Sequence, residues 1–356
     1  MSPTAALGGR LGWELELMAP QGRSRRDLAQ ALARQLGATV HRIWLPQSEP
    51  SLVPGQAVFE NLTLGFELRD ASGQWLLRCV DDLTLQAGLD RQAPPVPGWY
   101  RVVSDDLRIL HLIARHCDPE APLDQVLEPA AALFGGPLRP GQGGMFRLAD
   151  PNDLSVAIAA PLPGERHRPC EVISAPLPYP ESRALLEEVC ELAQVMDFFV
   201  PPEAAVHAHF DADRVQHPPT LKALIQVWQR WGPTLRERVQ TNPLCVRLGP
   251  VEDRVVQTVM APDFQDLSWR QAQARLKAAN PSKYRDLNLR NLCNPHLGKP
   301  TVELRILPGG IEPEAIWAGI EAMAGVLVLA REMGQSRRML PITATELEQA
   351  LGPAVG

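Results

Sequence analysis

The feature that most constrains this chain is period-two alternation of polar and apolar residues, confined to short runs. It appears as GWELELM at 12–18, CEVISA at 170–175, AVHAHFD at 205–211 and TVELRIL at 301–307. Alternation of this kind predicts strands with one buried and one open face. Parallel strands covered on both sides read instead as continuous apolar runs, so these strands predict an antiparallel sheet. Helical patterns fall between them without βαβ regularity, which makes the predicted class α+β.

Side chains two apart on a strand share a face. Leu11, Trp13, Leu15 and Leu17 therefore lie opposite Gly12, Glu14, Glu16 and Met18. Val206, Ala208 and Phe210 oppose His207, His209 and Asp211, and Val302, Leu304 and Ile306 oppose Glu303 and Arg305. The run at 170–175 adds Glu171. A merely solvated face would account for polar residues on any one strand. It accounts poorly for their type, because carboxylates gathered on a shared face repel one another unless cations lie between them. Oxygen ligands suit Mg²⁺, which shares substrate phosphates, and imidazole among carboxylates also admits Mn²⁺. Arg305 beside Glu303 offers the fixed fork that suits a phosphoryl oxygen.

Around these strands the chain predicts a capped helix over 25–37, begun by Ser24 and Asp27 and ended by Gly37, then a strand at 39–45. Residues 57–69 and 74–85 read as a β-hairpin about the turn Asp70-Ala71-Ser72-Gly73, and Trp99–Val103 as a short strand. Residues 106–149 read as an inserted lobe, with helices at 106–117 and 123–134 and a Gly/Pro-rich loop or lid at 135–144. Beyond 170 the pattern predicts helices at 181–197, 219–239 (interrupted at Gly232-Pro233), 268–279, 312–333 and 344–351, and strands at 286–292 and 301–307. Thus 10–335 forms the main domain and 336–356 a tail. The 35 prolines are about twice the usual share and fit proline-punctuated loops rather than disorder.

A net charge of −6 argues against nucleic acid or an anionic membrane as the main partner. The first 25 residues lack the apolar core of a leader, and the longest apolar stretch, Ala324–Ala330, is far short of the roughly 20 residues of a membrane span. The expectation is a cytoplasmic protein whose six scattered cysteines are reduced, buried thiols. No GxSxG elbow is present, and the glycines at 135–144 lack the Gly-Lys-Ser/Thr of a P-loop. Trp228 and Trp231 read as core. Arg23–Arg26 reads as a solvated helix start within reach of an acidic substrate, and the remaining histidines, His296 among them, as structural or surface residues.

GWELEL, WYRVVSD (99–105), CEVISAPL, VHAHFD, KYRDLNLRNL and TVELRILPGG follow one another in this order, and in this order the chain resembles the amidoligase family. That family belongs to the carboxylate–amine ligase superfamily with glutamine synthetase and glutamate–cysteine ligase. The resemblance implies a curved antiparallel sheet, helices on its other face, and a concave face that binds Mg-ATP and activates a carboxylate. It implies metal ligands at Glu14, Glu16, Glu171, His207 and Glu303, and catalytic roles for Glu303 and Arg305. It further implies nucleotide or substrate contacts from His207, His209, Lys283, Tyr284, Arg285 and Asn288. Substrates would be a small-molecule or peptide carboxylate and an amine, and related ligases often associate into homo-oligomers. The chain departs from the family in having Ala205-Val206 where Gly-Leu is usual, and in the long stretch 106–168. A phosphotransferase of related fold and a non-catalytic nucleotide- or metal-binding module are the alternatives.

Overall fold

A computed structural model describes residues 2–50, 58–245, 248–293, 300–336 and 343–352, so His296 and the first residue of the expected hairpin lie outside the described residues. In chain order the elements begin with α1 (Pro3–Leu7), β1 (Arg10–Met18), α2 (Arg25–Leu36), β2 (Thr39–Pro50), β3 (Val58–Arg69), β4 (Trp75–Val80) and β5 (Tyr100–Val103). Next come α3 (Leu107–His116), α4 (Glu128–Phe134), β6 (Leu138–Pro140), β7 (Phe146–Ala149), β8 (Ser155–Pro161), β9 (Pro169–Ser174) and β10 (Leu177–Pro178). Then follow α5 (Tyr179–Val195), β11 (Ala205–Asp211), α6 (Pro218–Arg238), α7 (Asp253–Met260) and α8 (Trp269–Ala279). The chain continues with β12 (Leu287–Asn288), α9 (Arg290–Cys293), β13 (Thr301–Pro308), α10 (Pro313–Ser336) and α11 (Ala344–Leu351). The class is α+β, and the described strand pairs are antiparallel in an open order, as the alternation predicts.

Two compact units divide these elements: Met1–Glu16, Ser174–Gln194 and Val200–Gly356 form the first, Leu17–Ile173 and Val195–Phe199 the second. In the first, β11 lies between β1 and β13, with β10 also on β1 and β12 on the far side of β13. The apolar residues of the three long strands, including Leu11, Trp13, Phe210, Val302 and Leu304, are fully buried. α10 packs against α1, α6 and α11. It is the one described helix long and apolar enough to cross a membrane, and most of its apolar stretch is buried inside the unit. Gly334 lets α10 approach α6 closely, since a Cβ there would lie 2.5 Å from the Thr220 backbone.

The second unit is built on the expected hairpin. Asp70 Oδ1 accepts from the Ser72 and Gln74 amides at 2.8 and 3.0 Å, fixing the turn between β3 and β4. α3 and α4, with Leu127 just before α4, place Leu110, Ile113, Leu127 and Ala130 on a core made by β3, β5, β7 and β8. The stretch 106–149 thus supplies helices and strands to this core. Its Gly/Pro-rich loop is not free-standing, because Leu138–Pro140 pairs with Phe146–Leu148 as a hairpin.

Four further expectations are corrected. α6 runs unbroken through Gly232 and Pro233; the carbonyl that Pro233 cannot satisfy belongs to exposed Gln229, while Trp228 and Leu235 stay buried on either side. The strand predicted over 286–292 is only Leu287–Asn288, because Asn288 Oδ1 caps the Arg290 amide at 2.9 Å and starts α9. Trp231, predicted core, is only half-buried. Finally, the Arg23–Arg26 cluster is not uniformly solvated: Arg25 is fully buried, 4.6 Å over the Trp99 ring. Its fork donates to the carbonyls of Leu64, Arg166 and Pro169.

The six cysteines are free, five of them buried, with Cys245 half-buried. Burial pushes the thiols of Cys190 and Cys293 up to about 12, which keeps them protonated and inert at neutral pH.

Candidate functional site

The pairing of β1, β11 and β13 in the first unit puts their charged faces together. Glu14 stands opposite His207, and His209 lies between Gly12 on one side and Glu303 on the other. β12 then sets Asn288 opposite Glu303. Across the β11–β13 pair, Val206 faces Leu307 and Ala208 faces Leu304, so His207 alone opposes both Arg305 and Ile306. This is a β-bulge, which bends a strand and re-aims a side chain. It also shifts the alternation. Leu307 pairs with Val206 and is buried, as the expected Ile306 also is, so the apolar side of β13 gains Leu307 beyond the simple parity.

His207 sits at the centre, 4% exposed. Its Nδ1 lies 2.9 Å from Glu14 Oε2 and 3.8 Å from Glu303 Oε1, and its Nε2 lies 3.6 Å from Glu16 Oε1. With Nδ1–H donating to Glu14, a neutral ring keeps its lone pair on Nε2. His209 Nε2 stands 3.0 Å from the other Glu14 oxygen. Glu16 divides its carboxylate, since Oε2 accepts the Ala205 amide at 2.7 Å at the start of β11 while Oε1 faces His207. Glu303 accepts from Asn288 Nδ2 at 2.5 Å and from Arg305 Nη1.

Charge in this cluster is unevenly balanced. Burial pushes the Glu14 carboxyl up, but His209 and His207 reverse this and hold it well below the usual carboxylate range. Burial disfavours the charged Arg305, and Glu303 first, then Glu14 and Glu16, outweigh that and raise its pKa. Arg305 Nε is buried and has no hydrogen-bond acceptor among the described residues. A buried donor without an acceptor costs about 1–3 kcal/mol, so that nitrogen marks a position suited to an anionic oxygen.

The donor set fits the divalent ion expected from the sequence. Ligand atoms of Glu14, His209 and Glu303 lie within 4.8 Å of one another, and the oxygen-rich set with imidazole suits Mg²⁺ or Mn²⁺.

Of the predicted site residues, Glu14, Glu16, His207, His209, Asn288, Glu303 and Arg305 are brought together. Glu171 is half-buried on β9 in the second unit. Lys283, Tyr284 and Arg285 lie on the turn before β12, where Lys283 Nζ is 5.1 Å from the Tyr284 ring centroid and Arg285 pairs with Glu252 at 3.3 Å.

Sequence reasoning missed Asp286, which is 2% exposed, and its partner Arg236 on α6. The signal was a carboxylate inside KYRDLNL with no local partner; its cation lies 50 residues upstream.

Residues 8–327 match the family described as "Putative amidoligase enzyme", and the chain belongs to that family. No curated protein and no solved structure matches it.

Proposed function

We propose that this chain is an ATP- and Mg²⁺-dependent carboxylate–amine ligase of glutamine synthetase-like catalytic fold, working in the cytoplasm. It forms an amide or isopeptide bond through an acyl phosphate. The single observation that carries this reading is the meeting of Glu14, Glu16, His207, Glu303 and Arg305 from three strands in a chain of the amidoligase family.

Carboxylate and amine do not condense readily, because a carboxylate carries no leaving group. In the proposed reaction a carboxylate oxygen bonds to the γ-phosphorus of ATP and ADP departs. The amine nitrogen then bonds to the acyl carbon, phosphate leaves, and the amine proton passes to solvent. The protein's part is positioning and charge neutralisation. Glu14, Glu16, His207 and Glu303 would hold the metal, Mg²⁺ or alternatively Mn²⁺, with His209 also in reach beside Glu14 and Glu303 and Glu171 assigned on its motif alone. Bound there, the ion supplies neutralising charge for phosphate oxygens. Arg305 takes the transferring phosphoryl group, for which its unsatisfied Nε is oriented by the Glu303 contact. His209, Asn288 and the turn residues Lys283, Tyr284 and Arg285 complete the nucleotide or substrate contacts. The substrates are a small-molecule or peptide acid and an amine; neither nucleic acid nor a membrane is a partner, and self-association is compatible with the reading.

A phosphate-release screen with ATP and Mg²⁺ over a matrix of amino acids, small acids and amines tests it, with mass spectrometry of each hit. The expected result is phosphate release that requires an amine and a product joined by loss of water. Amine-independent transfer to a stable phosphorylated product would point to a phosphotransferase. Mg-ATP binding that is absent alike from wild type and from the Glu14→Gln, Glu16→Gln double variant would leave only a scaffold.

A further inference from the structure

We infer that Asp286, gripped by Arg236, is the positioning residue that sets Arg305 at the β13 bulge and so governs recognition of the terminal phosphate. The inference rests on the nucleotide reading above and extends it to two residues that no motif assigns.

Arg305 lies where strand pairing is irregular on one side, since it and Ile306 together face His207. A bulged residue loses regular ladder support, so its direction depends on whatever holds its backbone from the other edge. Here that support is Asp286, whose carbonyl accepts the Arg305 amide at 2.9 Å and continues the β12–β13 pairing by one residue.

Asp286 is itself held on every polar atom. Its amide donates to the Gly249 carbonyl at 2.9 Å, and its Oδ1 accepts the Gly249 amide at 2.9 Å. Arg236 adds a two-pronged grip, Nε to Oδ2 at 2.8 Å and Nη2 to Oδ1 at 2.5 Å. The paired fork fixes geometry as well as charge, which a point cation cannot do. The 21-residue helix α6 is therefore tied through one buried carboxylate to the backbone of the arginine assigned to the phosphoryl group.

A purely structural ion pair would look similar in a static view, so function has to separate the two roles. Arg236 keeps 36% of its side chain exposed, so the guanidinium can be hydrated when the partner charge is removed. Asp286→Asn retains the shape and backbone bonds of the residue, and Arg236→Gln removes the grip from the other end.

The experiment is calorimetric binding of Mg-AMP-PNP and Mg-ADP to the full chain, for wild type, Arg305→Ala, Asp286→Asn and Arg236→Gln, with a thermal melt of each. Wild type should bind the triphosphate analogue more tightly than ADP, and Arg305→Ala should abolish the preference. Asp286→Asn and Arg236→Gln should each shrink the preference at least about fivefold, while the Mg-ADP Kd stays within about twofold. An unchanged preference in both folded variants overturns the assignment. Equal weakening of both ligands, or loss of the melting transition in both variants, also overturns it, in favour of a structural pair. If wild type binds both nucleotides without preference, the phosphate role of Arg305 fails and this assignment with it; if wild type binds neither, the nucleotide reading itself is refuted.

Discussion

Two arginines, one in each unit, fully buried Arg25 and largely covered Arg305, show what a closed and an unclosed charge look like. Arg25 in the second unit spends Nε, Nη1 and Nη2 on the carbonyls of Leu64, Arg166 and Pro169, and its ring neighbour Trp99 covers the plane. Arg305 in the first unit has Glu303 on Nη1, nothing among the described residues on buried Nε, and three carboxylates raising its pKa. Arg25 is fully buried and Arg305 keeps only 14% of its side chain exposed, yet only Arg25 has its hydrogen bonds completed among the described residues. Arg25 is a bolt joining separate backbone segments. Arg305 belongs to a set that keeps bonding capacity no described residue takes up.

The contrast is sharpest in the stability of the two corresponding variants. Arg25→Ala should destabilise the second unit by about 3–5 kcal/mol, since it leaves a cavity and three carbonyls without donors. Denaturant melts would show this, and a loss below about 1 kcal/mol would break the comparison. Arg305→Ala or Glu303→Gln should instead leave the melt close to wild type and reduce turnover by roughly a hundredfold or more, about 2.7–4 kcal/mol of barrier. Steady-state ADP release checks it, and near-normal rates would remove both role assignments.

Metal linkage gives a smaller, concentration-dependent effect. Mg²⁺ or Mn²⁺ at a hundred times its Kd should add about 2.7 kcal/mol to the stability of wild type, and much less to the Glu14→Gln, Glu16→Gln variant. A melt series against chelator reads this directly.

The smallest effect belongs to Glu67, another closed charge of the second unit. Burial pushes its carboxyl up, but hydrogen bonds from Arg78 and Arg69 outweigh that and lower the pKa. Because the folded value is depressed, its contribution is present above the ordinary carboxylate range and lost as pH falls through the folded value. Both arginines are partly exposed, so Glu67→Gln should cost only about 1–2 kcal/mol at neutral pH and should flatten the acid limb of the stability curve.

The parts of the fold and site visible in the sequence are those whose signal is local. β1, β11 and β13 each hold several turns of alternation, and their charged face could be read residue by residue before any pairing was known. The capping pair Ser24–Asp27 was equally plain, and the Ser24 amide donates to Asp27 Oδ2 at 2.7 Å. What escaped was set by distant partners. β6 and β7 have three and four residues, too few to display a period, and α7 buries only Val255 and Val259. Arg25 reads as solvated because its acceptors lie 39 to 144 residues away. The bulge at Arg305 appears only in the register against β11, and the function of Asp286 only through Arg236.

The bulge has an evolutionary corollary. β13 carries one residue more than β11 requires there, and its two ends hold Leu304 against Ala208 and Leu307 against Val206 on either side of that surplus. Removing a single amino acid at 305–306 would restore a regular strand with Leu307 still opposite Val206, but it would leave one residue where Arg305 and Ile306 now share His207, and so would remove or re-aim the arginine. Among descendants of this chain, insertions and deletions at that point should therefore be far rarer than replacements, and strand length itself becomes a heritable part of the site.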